Sequence, residues 1–545
     1  MKLNVKKRKI NILLLLSLFI LVMVMALSAC NDKESTHKGR IEININNLDD
    51  LKAINDKLGS DYNEALFRLN NDIIVDIADS WQPIGYDIDN SFRGTFDGRG
   101  SDGANHKITI IAEAGVQSNY NHFGLFGYLY GSTIKNLSLD INYTIETFNE
   151  ITYVGGLAGY AFGRVTLENI EATGLLEPIP ARQLTPSGGG LVIDKQVFVG
   201  GLIGYGIGEF SIKDIDSTID IEVKEEYVNT PEYSQNNSFE KAYVGGIVAY
   251  LRTPDISTTN AVRNRIEDIK VNSNIEAEAL NVYAGGVVGV VYNSDILTLD
   301  IAEGGNNILR AKGDNHTYVG GGFGLIDNCT VTRLYTKLTI KIESVGGTNS
   351  SRSFGGVAGY ITNQTLLKDV EFNADIHTEV SADSQAYGGG IAGTLSNSTI
   401  KATKVGLDGD YGFIINNMKG TADDYYSFFI EGSRKSYMLT NYAGLAGRIH
   451  GKSVIDVVTV NFRAYQGIVV EISSSIDVEK DDNDDPINVT TKDTPTITDA
   501  KYYVDKIVAK VYEDKTAESE RVEKYIWNKI GTEIEEESGE EPGED

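Results

Sequence analysis

Cysteine is nearly absent from this chain of 545 residues: there are two, Cys30 and Cys329. No disulfide framework can hold it, so stability has to come from burial and backbone pairing. Histidine is scarce as well. The six, at 37, 106, 122, 316, 377 and 450, include no His-Glu-x-x-His pair, which a zinc metalloprotease needs to set two imidazoles and a general base on one helix face. They also fall outside any register of the sequence. Positive charge is in deficit, with 49 Lys and Arg against 77 Asp and Glu and a formal charge of −28. Phosphate backbones need Lys and Arg to neutralise them, so nucleic acid is not an expected partner. A glycine loop between a strand and a helix is missing too. Gly204-Tyr205-Gly206-Ile207-Gly208 lies inside a repeating pattern instead, and no nucleotide, metal or other cofactor is expected.

Glycine is plentiful, with 57 residues, and it is patterned. Tyr153-Val154-Gly155-Gly156-Leu157-Ala158-Gly159-Tyr160 returns as Phe198 to Tyr205 and as Tyr243 to Tyr250, with an upstream version from Phe123 to Tyr128. Further copies open at Tyr283, Tyr318, Phe354, Tyr387 and Tyr442. Successive opening aromatics are 30, 45, 45, 40, 35, 36, 33 and 55 residues apart, the period range of solenoids. A second element follows each copy: Ile134-Lys135-Asn136-Leu137, Leu167-Glu168-Asn169-Ile170, Ile212-Lys213-Asp214-Ile215, Ile266-Glu267-Asp268-Ile269 and Leu367-Lys368-Asp369-Val370. One repeat therefore reads as a small-residue strand, a turn, a β-branched strand and a return of variable length. Such a unit cannot bury its apolar face alone, so the expected fold is all-β, a right-handed parallel β-helix. The motif glycines are expected to allow positive φ and close approach between repeats. The aromatics that open the repeats are expected to stack in a row.

The chain begins with Lys2, Lys6, Lys7, Arg8 and Lys9, an apolar run from Ile12 to Ala26, and Leu27-Ser28-Ala29-Cys30. Basic residues, a short apolar run and small residues before a cut form a secretory signal. Leu-Ser-Ala-Cys resembles the bacterial lipoprotein signal, which implies Cys30 as the attachment site of a diacylglyceryl thioether and as the N-terminus after cleavage. The chain would then be held by its acyl chains, palmitate or similar, on a bacterial cell membrane or cell surface outside the cytosol. Loss of residues 1–29 leaves 44 Lys and Arg against 77 Asp and Glu, a formal charge of −33.

After a polar tether over 30–40, Ile41 to Ile45 alternates like a strand, and apolar residues at 48, 51, 54 and 58 behind Asn47 predict a small cap helix. Leu69-Asn70-Asn71-Asp72-Ile73, Trp81-Gln82-Pro83-Ile84-Gly85, Phe92-Arg93-Gly94-Thr95-Phe96-Asp97-Gly98 and His106-Lys107-Ile108-Thr109-Ile110 follow. With Gly124-Leu125-Phe126-Gly127 and Ile134-Lys135-Asn136-Leu137, this series resembles the opening module of bacterial surface β-helix proteins that carry GLUG (Gly-Leu-any-Gly) repeats. The resemblance spans roughly 41–465 and departs from the pattern at an insertion, Ser101 to Asn105. It implies a secreted or surface-attached β-helix. The same repeats flank the catalytic part of some immunoglobulin A metalloproteases, but the zinc motif of that part is not here. The expected organisation is a signal over 1–29, the tether, a cap with opening repeats over 41–122, a repeat region over 123–465, closing repeats and a short helical cap over 466–532, and an acidic tail over 533–545.

Three chemical readings remain. Asp214, Asp268 and Asp369 recur in register and offer a carboxylate ladder for a polysaccharide lyase or glycosidase. Their equivalents are Asn136 and Asn169, however, and Asn alternating with Asp suits a left-handed corner better than acid and base. Asp481 to Asp485 resembles a calcium loop, but Pro486 stands where Gly is required and Lys492 where Glu is. The variable returns, 177–196 and 227–240, hold Tyr227, Tyr233, Asn236 and Asn237, and loops on a rigid frame are where recognition concentrates. The expectation is a binding or adhesion module without catalysis, its partners the membrane through the lipid and a surface glycan or host protein. A structural envelope component is the third class. Cys30→Ser should abolish lipidation: the variant should leave the detergent phase on partitioning and incorporate no labelled fatty acid, and fatty acid still incorporated would refute the lipoprotein reading.

Overall fold

The computed structural model describes residues 40–502, less a set of short connecting segments and three longer stretches, 181–194, 255–262 and 416–439. The signal, Cys30 and the tether up to residue 39, the predicted C-terminal helix over 519–527 and the acidic tail lie outside the described residues.

Apolar alternation across short β-branched stretches becomes strand throughout. The fold is all-β: among the described residues 36 strands join in one sheet through parallel pairing, and two separate two-stranded sheets are antiparallel. Among the described residues helix is confined to the start. Leu48–Lys52 is one short α-helix capped by the Asn47 side chain, which accepts from the Asp50 N–H at 3.0 Å. A 3-10 turn, Asn55–Lys57, follows. The helix is shorter than the apolar spacing predicts because the chain turns at Ala53, where Leu51 and Ile54 are already fully buried.

Each repeat contributes to four ladders of parallel pairs. The first holds the aromatic-Val-Gly segments, such as Ile151–Gly155, Gln196–Gly200 and Lys241–Gly245. After the Gly-Gly bend, the second ladder holds the Ala-Gly-Tyr segments, with Tyr160 opposite Tyr205 and Tyr205 opposite Tyr250. The β-branched segments form the third, with Ile134 opposite Leu167, Leu167 opposite Ile212 and Ile212 opposite Ile266. Beyond the Asn or Asp corner the fourth begins, with Ser138 opposite Glu171 and Glu171 opposite Asp216. The inward positions of all four, Val154, Leu157, Ala158, Leu167, Ile170 and Ala172 in one repeat, are buried in a continuous apolar core. Transfer of apolar surface from water at roughly 25 cal/mol per Å² is the main term favouring such stacking.

The bend between the first two ladders is the tightest place in the fold. A Cβ on Gly155 would lie 2.5 Å from the Leu202 carbonyl oxygen, one on Gly159 2.8 Å from the Phe123 nitrogen, and one on Gly201 would fall on the Gly246 oxygen. None of these three has positive φ. Close approach is therefore what these three glycines supply, and the expectation of positive φ is wrong for them; Gly124 of the upstream copy has φ 157°.

Positive φ belongs to the corners. Asn136, Asn169, Asp214, Asp268 and Asp369 have φ between 53° and 57°, the left-handed region that Asn and Asp tolerate. Asn136 Nδ2 donates to Asp97 Oδ1 and Asn169 Nδ2 to Asn136 Oδ1, both at 2.8 Å. The corner reading of these residues is borne out. Arg333, opposite Asp369, occupies the same corner at φ 60° without such chemistry. A second row, not read from the sequence, turns the chain from the second ladder into the third: Asn293, Asn328, Asn363 and Asn397, with φ from 47° to 53°. Asn328 Nδ2 donates to Asn293 Oδ1 at 2.5 Å.

Register corrects the repeat boundaries in three places. His122, not Phe123, lies opposite Tyr153; Ser353, not Phe354, lies opposite Tyr318 and Tyr387; and Asn441, not Tyr442, lies opposite Tyr387. Phe123 and Phe354 are inward residues, opposite Val154 and Val319. In the sequence they resemble openers because an aromatic before glycine looks the same on either face of a strand.

Two substitutions should move stability in opposite directions. Gly201→Ala sets a methyl against backbone that cannot swing away and should cost about 2–4 kcal/mol, whereas Arg333→Asn relieves a left-handed residue and should add about 0.5–1 kcal/mol. Urea midpoints of the two variants against wild type measure both.

Candidate functional site

Three features carry enough chemistry to be weighed: a band of aromatic rings on the first two ladders, a charged cluster at the opening repeats, and the returns between the fourth ladder and the first.

The ring band arises from the bend. Tyr153 and Tyr160 are outward residues on either side of it, and the tight glycine packing brings their rings to 5.4 Å at 88°. Along the first ladder His122, Tyr153, Phe198, Tyr243 and Tyr283 stack at 4.5–5.1 Å and 11–24°. Along the second, Tyr160, Tyr205 and Tyr250 stack at 5.2 and 4.9 Å. The expected aromatic row is thus present, and it is double. Stacking ends where the second ladder offers Val290 and Leu325 in place of tyrosine. There Tyr318 tilts to 65° against Tyr283 and meets Tyr360 at 5.0 Å. Burial, with the Tyr205 and Tyr128 hydroxyls nearby, pushes the Tyr153 phenol up to about 12. Tyr160, Tyr250 and Tyr318 are raised further, burial again the main cause. The phenols stay neutral at any physiological pH. Because the faces of the rings within a column meet each other, the band presents edges rather than flat platforms to solvent.

His122 belongs to this band, so the sequence reading that placed every histidine outside the register is wrong for it. The residue is 6% exposed, packed against Tyr153 and Tyr128 at 4.9 and 4.2 Å. Burial pushes its imidazole down to about 4.

At the opening repeats, Asp97 is nearly buried. It accepts from Asn136 Nδ2 at 2.8 Å and from the Arg99 N–H at 3.0 Å, with Lys135 Nζ at 3.5 Å and Arg68 at 3.9 Å. Arg68 reaches on to Glu42 Oε1 at 2.6 Å. A Cβ on Gly98 would fall on the Asn136 carbonyl oxygen. The Asp97-Gly98 pair thus begins the corner row, and its carboxylate neutralises the cations that converge there. His106 lies between Asp72, 3.5 Å from Nδ1, and Asp102, 3.4 Å from Nε2.

The recurrent aspartates do not assemble a catalytic pair. Asp214 and Asp369 each face the lysine before them, Lys213 at 3.9 Å and Lys368 at 3.8 Å, with the side chains about half exposed, where ion pairs contribute little. Among the described residues, no three His, Cys, Asp or Glu side chains group as a metal site requires. Cys329 fills an inward corner beside Ser294, as expected of a small apolar filler. Its S–H is 3.0 Å from the Asp327 carbonyl, it accepts from the Ser294 N–H at 3.4 Å, and burial pushes the thiol up to about 12.

The returns are where the repeats differ. One of them, expected as an irregular loop over 227–240, forms an antiparallel hairpin, Glu226–Thr230 with Tyr233–Asn237, apart from the main sheet. Tyr227 lies opposite Asn236 in it. A second hairpin, Ser475–Lys480 with Pro486–Lys492, flanks the acidic segment 481–485, which itself lies outside the described residues. In the return over 177–196, the strand Ala158–Pro180 runs on to residue 180, and 181–194 lie outside. Cys30 does too. Among the described residues no helix is long and apolar enough to cross a membrane. No family model, curated protein or solved structure matches the chain.

His122 makes a test of the ring band. Its folded value lies below the ordinary 6.5, so the stability it contributes is complete above pH 6.5 and is lost as pH falls toward 4. His122→Tyr should keep wild-type stability at pH 7 and lose about 2 kcal/mol less than wild type between pH 7 and pH 4.5. Denaturation midpoints at the two pH values check it.

Proposed function

We propose that this chain is a lipid-anchored, extracytoplasmic binding or adhesion module whose frame is a right-handed parallel β-helix. The observation that carries the reading is the contrast between four ladders of parallel pairs and connections that vary in length, most often between the fourth ladder and the first and once, over 255–262, between the second and the third. The Gly-Gly bend and the Asn and Asp corners spend their special residues on shape. The hairpin Glu226–Asn237, the segment 181–194 and the segment 416–439 all fall between the fourth ladder and the first. Sequence variation concentrated in the connections of a repeating frame suits recognition, since loops can change there without disturbing the stack. The right hand of the helix follows from the crossover preference of parallel strands.

The lipid reading rests on Leu27-Ser28-Ala29-Cys30. A strongly acidic chain held by acyl groups would stand away from anionic headgroups and remain soluble beyond its anchor. The carboxylates in register are tied to corners and to neighbouring lysines, and that supports a role without catalysis. Acid–base chemistry needs two groups of separated protonation within reach of one bond.

The purified protein should retain at least one ligand on an array of surface glycans and extracellular proteins, and release neither unsaturated nor reducing ends from polysaccharides. Shortening 226–237 or 181–194 should lower retention at least tenfold with the melting temperature unchanged. Turnover that survives both deletions and is lost in Asp214→Asn or Asp268→Asn would overturn the reading in favour of an enzyme.

A further inference from the structure

Within the ring band, faces are covered. Internal rings of the two columns have neighbours above and below, and Tyr130, at the band's margin, lies under the Arg93 guanidinium at 4.5 Å and beside Phe162 at 4.6 Å. Tyr86 differs. The bridge between Ile84 and Phe126 and the bond from the Tyr128 N–H to the Gly85 carbonyl set it in register with Tyr128, at the head of the second column. It is 40% exposed, and its one ring contact among the described residues is edgewise, with Tyr120 at 6.1 Å and 60°. Ile88 beside it is 51% exposed.

Polar groups of the neighbouring residues are held in fixed positions. Gln82 Nε2 donates to the Tyr120 hydroxyl at 2.6 Å. Asp87 Oδ1 accepts from the Asp89 N–H at 3.0 Å, and the Asp87 carbonyl accepts from the Asn90 N–H at 3.2 Å, so the segment that carries Tyr86 and Ile88 is a closed turn. The Asp87 carboxylate also adds to burial in raising the Tyr128 phenol.

We infer that Tyr86, Ile88, Tyr120, Gln82, Asp87 and Asp89 form a subsite for one neutral hexose unit of a glycan. This rests on the binding-module reading and adds a ligand class and a position to it. A pyranose ring offers an apolar C–H face to an exposed aromatic and a rim of hydroxyls to amide and carboxylate groups, and the turn supplies both. Charge decides the class of sugar. Asp87 and Asp89, on a chain of net charge −28, repel uronates, sulfates and phosphates. A protein partner would need a contact of roughly 800 Å² a side, far more than two exposed side chains provide.

The test is titration of the full-length protein in mild detergent with neutral hexose oligosaccharides and with uronate oligomers of equal length. Calorimetry reads the affinity, and fluorescence of Trp81, next to Gln82, reads the position. Expected are binding of at least one neutral oligosaccharide, at least tenfold weaker binding of uronates, a tenfold or greater loss in Tyr86→Ala with unchanged melting, and rescue to within about threefold in Tyr86→Trp. The inference is overturned by uronates binding as tightly as neutral sugars, by Tyr86→Ala binding like wild type, or by no neutral sugar binding. If a ligand were still retained through the 226–237 hairpin in any of these cases, the binding-module reading would survive the loss of this subsite. Loss of all retention would remove both.

Discussion

The structure depends on backbone packed against backbone at the Gly-Gly bend. Strands of the first and second ladders approach there so closely that a single Cβ at Gly155, Gly201 or Gly246 would meet a carbonyl oxygen of the same or the next repeat. Such contact is favourable only if every repeat in the stack honours it, because one repeat that stands off forces its neighbours apart. From this follow the other regularities. Val154, Leu157 and Ala158 turn inward around the bend and share the core. Tyr153 and Tyr160, the outward residues on either side, are pressed into an edge-to-face pair. Repetition turns that pair into two interlocked columns.

The columns have a functional consequence of their own. A stacked ring is a poor docking platform, since its faces are already satisfied by rings about 5 Å away. The middle of the band therefore stabilises, and the binding we propose is left to places where the repetition fails. Those are the returns, whose lengths differ from repeat to repeat, and the head of the second column, where Tyr86 has no ring before it among the described residues. His122 shows the cost of departing from the pattern: an imidazole in a tyrosine position is kept uncharged down to about pH 4 because burial disfavours the proton.

Much of this was legible in the residues. The aromatic-Val-Gly-Gly unit, the apolar-any-Asn/Asp-apolar unit and their shared period point to parallel stacking, and Asn interchanging with Asp points to a left-handed corner rather than a carboxylate ladder. Other features were hidden for definite reasons. The second corner row, Asn293, Asn328, Asn363 and Asn397, follows segments of changing composition, so no fixed word marks it. Phe123 and Phe354 look like openers, yet alternation in a strand shifts a side chain to the other face for an offset of one residue. The motif glycines signal permissive backbone, but the sequence does not say whether that permission is used for φ or for contact.

By itself, then, the sequence determined the repeating unit, its strand character, the identity of its corners and an acidic, cysteine-poor composition that leaves stability to stacking. These are local properties, each written within a few adjacent residues. Only the tertiary structure decided which residue faces which across 23 to 55 positions, that the glycines serve contact, that His122 completes the first aromatic column, and that Tyr86 stands at the head of the second. Register is the sum of many weak fits between neighbouring repeats, and no single repeat contains that sum.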